Sequence, residues 1–260
     1  MNPIAGSVGY PQPPLDMVMP ANWQLYLTII FGAFAAISWI YALRLSLTSR
    51  DIVPVLVVLG GGATVLAEAP VDILGMCYWV ENGQWTLYET FGRKIPLMTL
   101  FSYTTFFGGV VLTLLQHFRN GITYRGVWKW FWIWSIVEFT WEPIPIHFGV
   151  WNYYGDQPFR LFDFPLWWPP VNTAGAYAAA FLVYKLRPYL KGPGLLLIVP
   201  AVFSGDFMGN AAVAWPMWVA LNSKAGFAAT LPAGVLTLIL CAVAMHFIAT
   251  QVAVDRKPPN

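Results

Sequence analysis

The chain has 260 residues, of which 58% are hydrophobic and only 10% charged, with a mean hydropathy of +0.58. That balance excludes an ordinary soluble domain and describes a polytopic membrane protein. A formal net charge of +2 is too small to suggest a nucleic-acid-binding surface, and Cys77 and Cys241, without metal-type spacing, read as packing residues.

Taken in order, the chain begins with a Pro-rich stretch, 1–22, that lacks the basic region and apolar core of a cleavable signal. Seven apolar spans follow, at 23–46, 52–78, 95–117, 126–149, 166–186, 193–221 and 226–250, each long enough to cross roughly 30 Å of hydrocarbon. The connections are short, so 1–260 reads as a single all-α, seven-helix integral-membrane domain with tails at 1–22 and 251–260. Aromatic residues make up 17% of the chain and include 14 Trp, which suggests interfacial belts and an aromatic-lined interior. The alternating Trp128, Trp130, Trp132 and Trp134 read as including belt members. Basic residues divide ten against four between the two sides, with Arg44, Arg50, Arg119, Arg125 and Lys129 on the richer one. The positive-inside rule then places the N-terminus outside and the C-terminus in the cytoplasm. The expected location is a bacterial cytoplasmic membrane.

Five of the 12 acidic residues fall inside the spans: Glu68 and Asp72 in the second, Glu138 and Glu142 in the fourth, Asp206 in the sixth. Each pair lies one turn apart on one helix face. A carboxylate in hydrocarbon is costly, by about 3 kcal/mol or more, so such residues usually face a cavity and act there. Counted from their span starts, Glu68, Glu142 and Asp206 have similar depths, which predicts three helices aiming acids at one outward-opening pocket. Burial without basic partners favours the neutral form, and paired carboxyls titrate together, so at least one of each pair is expected to hold its proton near neutral pH. A protonated carboxyl among Trp and Tyr rings is a Brønsted acid for alkenes, alcohols or ketals, and the rings can stabilise a cation.

Plainer readings stand beside this one. A single membrane acid is about as often a helix–helix hydrogen-bonding group, and Asp206 with Asn210, one turn on, suits such a clasp. His147 is more often a polar helix-end residue than a ligand, and His117 and His246 read as structural. Three His exclude a many-His di-iron cluster.

Two stretches carry a resemblance. Glu68-Ala-Pro-Val-Asp72-Ile-Leu-Gly75, followed by Gly92-Arg93-Lys94-Ile-Pro96, resembles a pattern of the spirocyclase family typified by AveC. Tyr153-Tyr154-Gly155-Asp-Gln157-Pro158, Phe164-Pro165-Leu-Trp-Trp168 and Asn172 are similar to a second segment of that family. The match covers about 68–172 and parts of the sixth span; Ala69 departs from it, standing where the family pattern has Pro. The resemblance implies an integral-membrane, cofactor-independent cyclase that closes spiroketals and also dehydrates. A looser similarity to membrane-bound terpene and carotenoid cyclases implies acid-initiated ring closure as well.

The combined expectation is a Brønsted-acid cyclase or dehydratase for a lipophilic polyketide or isoprenoid, needing neither cofactor nor metal. Its small lipophilic substrate would reach it from the bilayer. Glu142 is expected to be the proton donor and Glu68 the base, with Asp72, Glu138 and Asp206 tuning or relaying. Trp141, His147, Trp151, Tyr153, Tyr154, Trp168, Asn172 and Asn210 are the candidate substrate-binding residues. The alternatives are a terpene cyclase protonating an alkene or epoxide, and a proton-coupled transporter of a lipophilic compound, although the seven spans lack paired halves. A retinal protein needs a Lys in the last span, and 226–250 has none. Oligomeric state is left open by the sequence.

Overall fold

In the computed structural model, which describes residues 10–253, most of the chain is helical. Among the described residues the helices can be grouped into seven rods that overlap the apolar spans. The first is α1 (Ala21–Ser49). The second is composite: α2 (Val53–Ala63), a 3-10 turn over Thr64–Ala67, and α3 (Glu68–Gly75). The third joins α4 (Leu97–Tyr103), a π-helical turn (Thr104–Val110) and α5 (Val111–Arg119). Then come α6 (Tyr124–Trp141) with the short α7 (Pro143–His147), α8 (Trp168–Leu186), α9 (Ile198–Leu221) and α10 (Phe227–Val252).

Five rods are long and apolar enough to cross a membrane; α6–α7 and α8 are not among the five. Their sequences explain why. α6 carries Arg125, Lys129 and Glu138 among five Trp, whose indoles are amphipathic. α8 is rich in Ala and Gly and buries most of its length against other helices, so its surface meets protein more than lipid.

Small residues set several of the closest contacts in the bundle. A Cβ on Gly205 would meet the Ala179 Cα at 2.6 Å, and one on Gly209 the Ala178 Cβ at 2.6 Å, so α8 and α9 approach backbone to backbone. In lipid such close packing replaces the hydrophobic effect as the force between helices. α10 sits at the periphery, with Val235, Ile239, Val243 and Phe247 all exposed.

One end of the bundle is capped by three two-stranded antiparallel ribbons that an all-α expectation omits. Each is too short to leave a period-2 hydrophobic signal. β1 (Cys77–Trp79) pairs with β4 (Trp151–Tyr153), tying the end of α3 to the segment after α7. β2 (Thr86–Thr90) and β3 (Arg93–Pro96) form a hairpin, as do β5 (Arg160–Leu161) and β6 (Phe164–Pro165). Both hairpins turn through two residues of positive φ, Phe91–Gly92 and Phe162–Asp163, the geometry that follows the strands' own twist. We call this the hairpin end and the opposite one, which holds Arg50, Arg119 and Arg187, the basic end.

The ribbons also move two expected boundaries. The second span was expected to run to 78, but Met76 takes a left-handed cap conformation (φ 53°), its N–H bonding back to the Asp72 carbonyl, and the chain enters β1. The fourth was expected to run unbroken over 126–149, but α6 stops at Trp141. Pro143 and Pro145 have no N–H to continue the ladder, so the helix breaks at Glu142.

Candidate functional site

The buried face of α6 is the stripe Val127, Phe131, Ser135 and Glu138, and helical periodicity carries it on to Glu142 at the break. α8 is pinned against that stripe: Ser135 donates to Thr173 Oγ1 (3.1 Å) and Tyr177 donates to the Val127 carbonyl (2.8 Å). On the neighbouring rod, Glu68 opens α3 where the 3-10 turn returns to α-helix, and Asp72 follows one turn later. Asp206 comes from the middle of α9, with Asn210 one turn on.

The structure brings all five acids together, each between 3 and 8% exposed. Glu68 is the centre: it lies close enough to interact electrostatically with Asp72, Glu142 and Asp206, while Glu142 links on to Glu138. They come from different places along their helices. Glu142 stands at the end of α6, Glu68 seven residues before α3 ends, and Asp206 fifteen before α9 ends.

Neutral donors surround these carboxyls. Glu68 accepts from Trp79 Nε1 at 2.7 Å on one oxygen and from the Tyr103 hydroxyl on the other. Glu142 Oε2 accepts from the Tyr153 hydroxyl at 3.2 Å. Glu138 Oε1 accepts from Asn172 Nδ2 at 2.6 Å, while its Oε2 is buried without a partner. Asp206 Oδ1 accepts from Asn210 Nδ2 at 3.1 Å, the clasp that the sequence suggested. Asp72 interacts with the Cys77 thiol, and across a longer gap with Arg93. No two of the five acids hydrogen-bond each other among the described residues.

The aromatic candidates divide between this cluster and its edges. Trp151 is buried, packed on Trp79 (4.5 Å between centroids) and met edge-on by Trp141 (5.9 Å). Trp168 stacks on Trp167 at 4.3 Å and lies 5.8 Å from Tyr153, over Gly75, where a side chain would collide with its ring. His147 is misplaced by the sequence reading: it is exposed, edge-on to Phe148, and does not join the acids. It closes α7, whose turn carries it to the outer surface. Tyr154 also stands apart, accepting a hydrogen bond from Arg93 Nη2 (3.0 Å) at the hairpin end. Burial pushes its phenol up from the usual range, against an opposing pull from Arg93.

Two contributors went unseen in the sequence, and two more, Gln157 and Arg93, stood in the quoted motifs without a role. Trp79 and Tyr103, not singled out in the sequence, are the two donors to Glu68. Gln157 donates to the Gly75 carbonyl (2.7 Å) and accepts from Trp167 (3.1 Å), fixing the loop over the cluster. Arg93, quoted in the resemblance but given no role, reaches back from β3 toward Asp72.

The pocket differs from expectation as well. A groove of about 460 Å³ opens at the hairpin end between the segment around Tyr10–Leu15 and α3. Ile73, Met76, Arg93 and Tyr154 line it, and none of the five acids does. α3 therefore presents Ile73 and Met76 to the groove and keeps Glu68 and Asp72 inside. A second crevice of about 390 Å³, lined chiefly by apolar residues including Trp215, Pro216 and Leu236, lies between α9 and α10.

Comparison with protein-family models, curated proteins and solved structures returns no match to this chain.

Proposed function

We propose that the protein is a seven-span integral-membrane enzyme of a bacterial cytoplasmic membrane, N-terminus outside, that cyclises or dehydrates a lipophilic polyketide or isoprenoid by Brønsted-acid catalysis. The observation that carries this reading is the convergence of Glu68, Asp72, Glu138, Glu142 and Asp206 in one buried cluster whose hydrogen-bond donors are all neutral. Intramembrane acids held away from cations are the usual carriers of protons in membrane proteins. The hydrogen bonds support a division of labour. Both Glu68 oxygens accept, which suits a base, whereas only Oε2 of Glu142 is engaged, leaving Oε1 for the proton that is given up. In the reaction Glu142 would protonate an alkene carbon or a ketal or hydroxyl oxygen. The ring would close on the resulting cation beside Trp79 and Trp151, and Glu68 would take the proton that is lost. The residues matching the AveC-like pattern support the spiroketal-forming version: Glu68, Asp72, Tyr153 and Asn172 all lie in or against the cluster.

The test uses purified protein in lipid nanodiscs, supplied with lipophilic polyketide or isoprenoid extracts in D₂O. The expected product is an isomer of its substrate or its anhydro form, made equally well with a chelator present. Alkene protonation would leave one deuterium on carbon; spiroketal closure would leave none. Unchanged compound driven into proteoliposomes by a pH gradient would favour a proton-coupled transporter instead. Orientation has its own check: a cysteine at Asn82 should be labelled from outside, and one at Lys191 only after permeabilisation.

A further inference from the structure

Arg93 is a half-buried cation that pairs with no carboxylate among the described residues. One of its five guanidinium donors is engaged, on the Tyr154 hydroxyl, and the group lies 5.3 Å from the Tyr78 ring centroid. The remaining donors border the 460 Å³ groove, a volume within the range of small-molecule sites. The hairpin holds Arg93 there at a cost. It follows directly on the Phe91–Gly92 turn, where Phe91 adopts φ 52°, a region bulky side chains avoid. Backbone strain of this kind persists where surrounding structure enforces it, and it gathers at ligand clamps.

The rest of the lining is amphiphilic. Ile73, Met76, Leu15 and the exposed Phe91 supply apolar wall. Glu81 is the one acid in the lining, and the backbone N–H of Lys94 points toward it at 3.4 Å.

We propose that this groove is a binding site for the carboxylate head of a lipophilic chain, held by the Arg93 guanidinium and the Tyr154 hydroxyl. The head would take a fork-type contact from Arg93 and a hydrogen bond from the phenol, with the chain along Ile73 and Met76. The inference rests on the proposed function only in calling that ligand a substrate, which would then be a carboxylic acid rather than a neutral hydrocarbon. Arg93 and Tyr154 would be positioning residues, outside the pair of acids, Glu142 and Glu68, proposed to move protons.

Equilibrium binding of radiolabelled dodecanoate and dodecanol to the purified full chain in maltoside detergent tests this without turnover. Dodecanoate should bind more tightly than dodecanol. Arg93→Gln should weaken dodecanoate tenfold or more and leave dodecanol unchanged, Arg93→Lys should recover part of the loss, and Tyr154→Phe should cost a few-fold. Should Arg93→Gln not fold, the acid-to-alcohol ratio in the wild-type protein and the Tyr154→Phe effect decide. Equal affinity for acid and alcohol, or dodecanoate binding indifferent to both positions, would overturn the proposal. That result would leave the acid cluster's role intact, whereas loss of the cluster's role would leave this binding intact.

Discussion

Asp51 at the basic end and the five acids toward the hairpin end are the same chemistry in two settings. Asp51 is bracketed by Arg187 at 3.5 Å and Arg119 at 3.7 Å, and all three side chains are partly exposed. Glu68, by contrast, is enclosed by an indole and a phenol, and Glu142 by a phenol. In the first setting water and salt screen an ion pair that contributes at most about 1 kcal/mol. In the second, Glu68 and Glu142 meet neutral donors, which under the proposed function leaves their protonation free to change. What separates a clip from a proton carrier is its partners.

Removing the neutral donors should therefore damage activity far more than removing the ion pair. Tyr103→Phe and Trp79→Phe each delete one hydrogen bond to Glu68, of the kind that contributes about 1.5–3 kcal/mol when a partner is charged. Turnover should fall about 10- to 100-fold in each, with melting lowered by roughly several degrees but folding kept; unchanged turnover in both would mean that Glu68 needs no such support. A smaller effect is expected at Glu138→Gln. The amide oxygen can keep the Asn172 bond, and the amide nitrogen replaces an oxygen that already lacks a partner. Turnover there should fall only a few-fold. The smallest effect belongs to the basic end: Asp51→Asn should lower stability by about 1 kcal/mol or less and leave turnover untouched. A large activity loss at Asp51 would erase the contrast between the two ends.

How much of this could be read from the chain depends on the range of the interaction. Hydropathy alone located the rods, because a span's apolar length is a local property. The acids were visible because a carboxyl in an apolar run is conspicuous wherever it packs. Asn172 and Tyr153 came through the motif resemblance. Trp79 and Tyr103 were hidden because their bonds to Glu68 bridge 11 and 35 residues of sequence, and nothing local marks either as a donor. His147 failed for the opposite reason. Its distance from Glu142 along the chain is short, but the break at Pro143 and the turn of α7 direct it outward. Arg93 was misjudged because a hairpin of two short strands returns a loop residue onto the bundle.

The central claim is that Glu142 and Glu68 transfer protons and do not merely hold helices together. Product formation and detergent melting temperature, measured on the same preparations of Glu142→Gln and Glu68→Gln, test it most directly. Gln keeps the shape and most of the hydrogen bonding of a neutral carboxyl but cannot give up its proton. The account predicts melting close to wild type with turnover reduced by about 10²–10⁴-fold, the usual cost of lost acid–base catalysis. Full turnover in both variants at unchanged melting temperature would contradict it and pass the role to Asp72 or Asp206.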